Sequence, residues 1–312
     1  MFMKKVLCVI LSIIILAFLG VMLIMDRQQK NRQAEHIEQL KKEARSYEKE
    51  IEQIRLEIEE RRKEAAASSE VSSAIIGFVP TSVVDIEMVK EIKAELQFTP
   101  LIVLDCALEE YMLQGIAQAA MIEGYDLIFS GMTFDAGVLE KADNIRNFMN
   151  ENGYNKESAF FLEQGCDTPE NREQLKQHGY KNMVRYSESF DSGIDDSGDP
   201  FISYDFIRDS KADVNYIKKV VSAHSYIVMT FNFSDIYNGV VEQTDIAVFL
   251  GAVEKSVASN TMKYMDLAGA FNAVVEKDRV AKENEEYEIA QQQRIEELEK
   301  MISEIYSRWD EY

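Results

Sequence analysis

EGYDLIFSGMTFD, residues Glu123–Asp135, decides how this chain is read. It takes over from LQGIAQAAMIE, residues 113–123, whose apolar positions recur at helical spacing. A glycine, Gly124, then hands the chain to the short β-rich run YDLIFSG. A helix passed through glycine into an apolar strand is one unit of a β/α repeat.

The same unit recurs on both sides. Strands are expected at AIIGFV from Ala74, TPLIVLDC from Thr99, SAFFLEQG from Ser158, NMVRYS from Asn182, PFISYDFI from Pro200 and SYIVMTF from Ser225, with a weak one at TMKYM from Thr261. Helical stretches such as VVDIEMVKEIKAEL, VLEKADNIRNFMNEN, TPENREQLKQHG and DVNYIKKVVSA lie between them. Seven or eight such units predict a parallel sheet with helices outside it, and one unbroken alternation favours a barrel over a doubly wound sheet. The fold expected for residues 74–277 is therefore a distorted (β/α)7-8 barrel. The acidic, turn-rich SESFDSGIDDSGD, Ser187–Asp199, has no periodicity and reads as an exposed loop.

Outside the repeat the pattern changes. Ile37, Leu40, Ala44, Tyr47, Ile51, Ile54 and Ile58 alternate steps of three and four, a heptad seam within residues 26–66. A linker, residues 67–73, ends it with small polar residues. Residues 278–312 carry a second seam at Ile295, Leu298, Ile302, Ile305, Trp309 and Tyr312. The two seams could pair with each other, or each with its copy in a homo-oligomer or with a partner protein; spacing alone leaves this open.

Ahead of the first seam, Val6–Met25 is a 20-residue run without a charge. That length predicts an uncleaved transmembrane helix behind a short tail, residues 1–25, because a signal-peptide core is shorter, about 7 to 15 residues, and ends at a small-residue site. The expected location is the cell membrane, single-pass. Arg27, Lys30 and Arg32 outnumber Lys4 and Lys5, which alone would keep the large domain inside.

Charge narrows the partners. Residues 26–66 balance 11 cations with 11 acids, whereas the chain beyond them holds 21 cations against 44 acids. Such a surface repels nucleic acid. Cys8, Cys106 and Cys166 are too few and too scattered for a disulfide framework or a metal cluster.

From Ala74 to about Val274 the chain resembles the NodB-type polysaccharide deacetylase domain, a distorted (β/α) barrel that removes acetyl groups from cell-envelope glycans. The family's third-strand motif, commonly G-H-E-I-G-x-H-T-x-x-H behind a helix, corresponds to GYDLIFSGMTF here. ENREQLKQHGYKNMVRYSESFDS, then SAHSYIVMTFNF, then TDIAVFLGAVEKSVASNTMKYMDLAGAF follow in the family's order. The resemblance implies a divalent metal held by one Asp and two His, a second Asp as base and a last-strand His. None of these is in place. The two metal-ligand histidines fall at Ser130 and Phe134; the first-strand motif falls on FVPTS, Phe78–Ser82; the last-strand position falls within MTFN, Met229–Asn232. Only His36, His178 and His224 exist, none with a second ligand at metal spacing.

The resemblance and the missing ligands together imply a pseudoenzyme, with no cofactor or metal, acting as a membrane-anchored glycan-binding or scaffolding component of a bacterial envelope. Its partners would be polysaccharide or peptidoglycan, with the barrel outside the cell. Two other readings stay open. One is a hydrolase rebuilt around Asp105 and Glu163, strand-end carboxylates of the glycosidase kind; Arg185 and Asp205 also end strands, and Cys106 and Cys166 lie near strand ends. The other makes the barrel a spacer between coils. A strand-end cleft filled by Phe129, Phe134 or Phe231 would favour the scaffold.

Overall fold

The computed structural model describes residues 2–67, 72–94, 97–131, 136–162, 165–186, 192–204, 226–240 and 243–309. The side chains of residues 2–13, 66–67, 72, 136, 186, 204, 226–227, 243 and 245 are not among those described. The chain divides into two compact units, one of residues 1–64 with 283–312 and one of residues 65–282.

The first unit is helical. Helix α1 spans Phe2–Ala67, and the last part of the C-terminal helix α8 (Leu267–Trp309) packs on it. Ile51 and Ile54 bury against Ile295 and Leu298, with Tyr47, Ile58, Met301 and Ile302 around them. Leu40 and Ala44 pack on Ile305, with Trp309 beside them. The two seams thus pair with each other within one chain. Ionic partners fix the direction: Arg62 meets Glu288 at 2.6 Å, Arg55 meets Glu299 at 3.3 Å and Arg294 meets Glu50 at 2.9 Å, an antiparallel order. Arg61 also lies 3.8 Å over the Tyr287 ring.

The expected anchor does not survive. Among the described residues no helix is long and apolar enough to cross a membrane. Of the run expected to span, Ile14–Met25, 12 residues, is described with its side chains, short of the ~20 apolar residues a spanning helix needs, and the charged stretch from Asp26 follows it directly. The side chains of residues 6–13, the front of the expected span, lie outside those described. The single-pass membrane location, and with it a barrel held outside the cell, is corrected accordingly.

Among the described residues the second unit is built on nine strands: β1 Ser72–Val79, β2 Leu101–Asp105, β3 Asp126–Gly131, β4 Ala159–Leu162, β5 Asn182–Tyr186, β6 Gly193–Ile194, β7 Pro200–Tyr204, β8 Tyr226–Asn232 and β9 Met262–Tyr264. Helices α2 (Val83–Ala94), α3 (Glu110–Ile122), α4 (Ala136–Glu151), α5 (Pro169–Gln177), α6 (Phe233–Tyr237) and α7 (Gln243–Ala258) connect them. The strand order is β6-β7-β5-β4-β3-β2-β1-β8, with β9 added to β1. Among the described residues the pairings are parallel except β6 on β7.

This is a mixed sheet curled into a half-barrel, not the closed (β/α)7-8 barrel expected. Two features account for the difference. The stretch read as an exposed loop contains β6, whose antiparallel pairing on β7, Gly193 opposite Phe201, occupies that edge. Residues of β7 and β8 come within 8 Å by Cα, yet no ladder joins them among the described residues. Second, a helix takes up the space that a closed barrel fills with strand side chains alone. Ile75, Val103, Ile128, Phe161, Val184, Ile202 and Val228 pack with Leu267, Ala270, Phe271 and Val274 from the first turns of α8. The opposite face carries Ile76, Phe78, Leu104, Phe129, Phe160 and Phe231 and is covered by α2, α3, α4 and α7. DVNYIKKVVSA, residues 213–223, lies outside the described residues.

The stretch from Glu123 shows how the alternation is encoded. Gly124 adopts φ +74, the left-handed conformation that favours glycine. Its amide bonds to Met121 O at 3.1 Å, and the Tyr125 amide bonds to Ala120 O at 3.0 Å, closing α3 in a Schellman motif. The next residue starts β3, which is buried from end to end. Burial on both faces is why Asp126–Gly131 reads as a nearly continuous apolar run.

Candidate functional site

The parallel strands bring their carboxyl ends together, and functional groups of such sheets gather there. Asp105 ends β2 opposite Ser130 of β3. The Cys106 amide donates to Ser130 O at 2.8 Å, and the Ala107 amide donates to Asp105 Oδ1 at 2.9 Å. The Asp105 carboxylate therefore holds the turn leaving its own strand, an Asx turn. Ser130 is buried, 2 % exposed, within the strand layer. Glu163, Phe134 and Asp205 lie outside the described residues, as does His224.

Arg185 is also committed. Its Nε lies 2.8 Å from Asp167 Oδ2, and its guanidinium sits 4.3 Å over the Phe201 ring. Asp167 Oδ1 is 3.3 Å from Arg172 Nε, within ion-pair distance but without hydrogen-bond geometry. Cys106 is buried, and burial first, then the Asp105 carboxylate, pushes its thiol up to about 12, so it stays protonated and unreactive at neutral pH. No disulfide joins it to Cys166. His178 lies at the end of α5, its Nδ1 2.5 Å from Asp143 Oδ2. Asp143 also accepts from Arg146 at 2.8 Å and from the Tyr180 hydroxyl at 3.2 Å. His36 lies on α1.

The carboxylate that sequence reasoning missed is Asp85. FVPTS contains no acid, but Asp85, three residues beyond it, folds back into that loop and is fully buried. Its Oδ2 accepts from the Thr81 amide at 2.7 Å, the Thr81 hydroxyl at 2.9 Å and the Ser82 amide at 3.0 Å. The Tyr237 hydroxyl, from the last turn of α6, donates to Oδ1. That bond to Asp85, then burial, raises the Tyr237 phenol to about 12. The signal was present: Ser82-Val83-Val84-Asp85 is a capping box, in which the third helical residue returns to the amide of the cap. Asp85 thereby ties the end of β1 to the helix after β8.

Close packing explains one further residue here. At Gly77 of β1, an added Cβ would come 2.8 Å from Thr230 Cγ2 and 3.4 Å from Met229 O. Thr230 presses on this glycine from β8, its hydroxyl buried without a hydrogen-bond partner among the described residues.

Phe129 and Phe231, two of the residues considered as plugs, do not face a strand-end cleft. They belong to the layer under the helices, Phe231 5.6 Å from Phe249 of α7 and Phe129 5.7 Å from Tyr180. Among the described residues, no three His, Cys, Asp or Glu side chains are placed to hold a metal ion.

Two cavities lie away from the strand ends. One of about 480 Å3 sits at the opposite end of the strands, between Asp126, Lys156 and Lys181 and the start of α8. Asp126 accepts there from the Leu267 amide at 2.9 Å and is paired with Lys156. The other, about 390 Å3, is a groove between α2, α6 and α7.

Compared with models of protein families and with curated proteins, the chain gives no match.

Proposed function

We propose that this chain is a non-catalytic binding or scaffolding protein, built on a half-barrel that resembles the NodB-type deacetylase domain without its chemistry. The observation that carries the reading is the engagement of three described charged groups at the strand ends in structural bonds. Asp105 holds the turn after β2, Asp85 caps α2 and receives Tyr237, and Arg185 pairs with Asp167. A general acid or base must reach a substrate proton directly or through one water. A carboxylate with three donors on one oxygen and a phenol on the other offers no open position for it. At the family's metal-ligand position on β3 stands Ser130, a hydroxyl where a divalent ion needs imidazole.

Glycan remains the ligand class that the resemblance implies. The test is acetate release from acetylated chito-oligosaccharide by the full chain, with zinc or cobalt supplied, alongside measurement of bound metal. The expected result is no metal-dependent acetate and no stoichiometric zinc. Stoichiometric zinc together with turnover that chelation abolishes would overturn the proposal.

A further inference from the structure

Glycine in a helix interior costs about 0.5–1 kcal/mol relative to alanine, so its presence asks for a reason. Two such glycines in the sheet unit give different answers. At Gly115 of α3 an added Cβ would come 3.1 Å from Val83 Cγ2, so neighbouring packing accounts for it. At Gly251, midway along α7, an added Cβ would meet nothing within 4 Å. Among the described residues, nothing accounts for the missing side chain there.

Gly251 lies on the lip of the groove between α2, α6 and α7. The floor is apolar: Phe233, Ile246 and Leu250 are buried in the main core, and Met88, Ile92 and Ile236 pack against it. Ala247 stands one helical turn before Gly251, so the α7 side of the groove is low enough for another backbone to come close. Two carboxylates, Glu91 from α2 and Glu254 from α7, complete the lining, both exposed and neither in an ion pair among the described residues. The volume, about 390 Å3, is at the lower end of the ~300–1,000 Å3 typical of ligand pockets.

We propose that this groove is a docking site for a basic amphipathic helix of a partner protein. Apolar side chains of such a helix, spaced i, i+3, i+4 and i+7, would enter the floor between α2 and α7. Its backbone would approach over Ala247 and Gly251, and its lysines or arginines would meet Glu91 and Glu254. Charge complementarity selects the sign of the partner, because the chain beyond residue 66 carries 44 acids against 21 cations and would repel an acidic helix. The inference stands apart from the reading of the strand ends: an active enzyme could carry the same groove, and the two proposals fail by different measurements.

The experiment uses the full chain and a fluorescein-labelled helical peptide of leucine and lysine with that apolar spacing, read by fluorescence anisotropy. A leucine–glutamate peptide of the same pattern is the control. The expected result is saturable binding of the basic peptide only, weakened ~10-fold or more by Gly251→Trp, which fills the groove, and by Glu91→Gln with Glu254→Gln, which removes the charges. Circular dichroism checks that Gly251→Trp folds; the glutamine pair decides the matter if it does not. No binding, or binding unchanged by both variants, would overturn the proposal. So would a dye such as ANS occupying the groove of a chain that ignores the peptide, or a homodimer that Gly251→Trp dissociates.

Discussion

Replacing Asp85 with alanine should be the most costly single polar change in the sheet unit. The substitution removes one acceptor group and leaves four donors without it: two backbone amides, the Thr81 hydroxyl and the Tyr237 phenol. Thr81 and Ser82 are half-exposed, so water can recover part of their bonding. Losing a capping interaction costs ~1 kcal/mol, and a donor left unsatisfied costs about 1–3 kcal/mol more when buried. A total of about 3 kcal/mol follows, equivalent to a fall in Tm of ~6–12 °C for a unit of this size. Tyr237→Phe removes a single bond and should cost about 1 kcal/mol, with the double variant less than additive because both changes break the same contact. Urea unfolding followed by far-UV circular dichroism measures all three. The same cycle has a pH signature. The Tyr237 phenol titrates higher in the folded chain, near 12, than its ordinary 10.0, so its contribution is complete below pH 10 and is lost as pH rises towards 12. Wild type should therefore lose more stability than Tyr237→Phe over that window. A loss below about 0.5 kcal/mol for Asp85→Ala would refute the reasoning, since that is the scale of a surface substitution.

Two further outcomes follow from packing. Gly77→Ala should destabilise the sheet unit by about 1–3 kcal/mol because its Cβ meets Thr230 Cγ2, and adding Thr230→Ser, which deletes that methyl, should restore most of the loss in thermal melts. In the helical hairpin, Leu298→Ala should cost about 2–5 kcal/mol, whereas Arg62→Ala, which breaks an exposed pair with Glu288, should cost under ~1 kcal/mol; the Trp309 fluorescence transition in urea distinguishes them.

The strands were legible because their runs are short, apolar and punctuated, as Asp126–Gly131 between Gly124 and the following helix shows. The closure of the sheet was not. It depends on a two-residue strand, Gly193–Ile194, too short to carry a period, and on Leu267, Ala270, Phe271 and Val274, whose helical spacing says nothing about which sheet face they fill. Similarly, three-four spacing exposed both seams but not their pairing, which the order of Arg62, Arg55 and Arg294 against their glutamates fixes. Asp105 was found as a strand-end acid, and its bond to the Ala107 amide is the local role such acids often take. Asp85 was passed over because a helical reading of VVDIEMVKEI counts it as one more polar position, although the capping box marks it. The uncharged run from Val6 pointed to an anchor, yet among the described residues no helix is long and apolar enough to cross a membrane.

The hairpin joins residues that are far apart in sequence, Ile54 with Ile295 and Arg62 with Glu288, and this separation sets a schedule. At about 5–20 residues per second, synthesis leaves the first seam without its mate for on the order of 10 to 50 seconds. During that interval Leu40, Ile51 and Ile54 face solvent or whatever else is nearby, including the same seam on a neighbouring nascent chain. Loop-closure entropy grows only slowly with length, so the delay is set mainly by the ribosome rather than by the search itself. The hairpin therefore forms only after the sheet unit has been synthesised, and crowded polysomes are where the first seam is most exposed to pairing with the wrong chain.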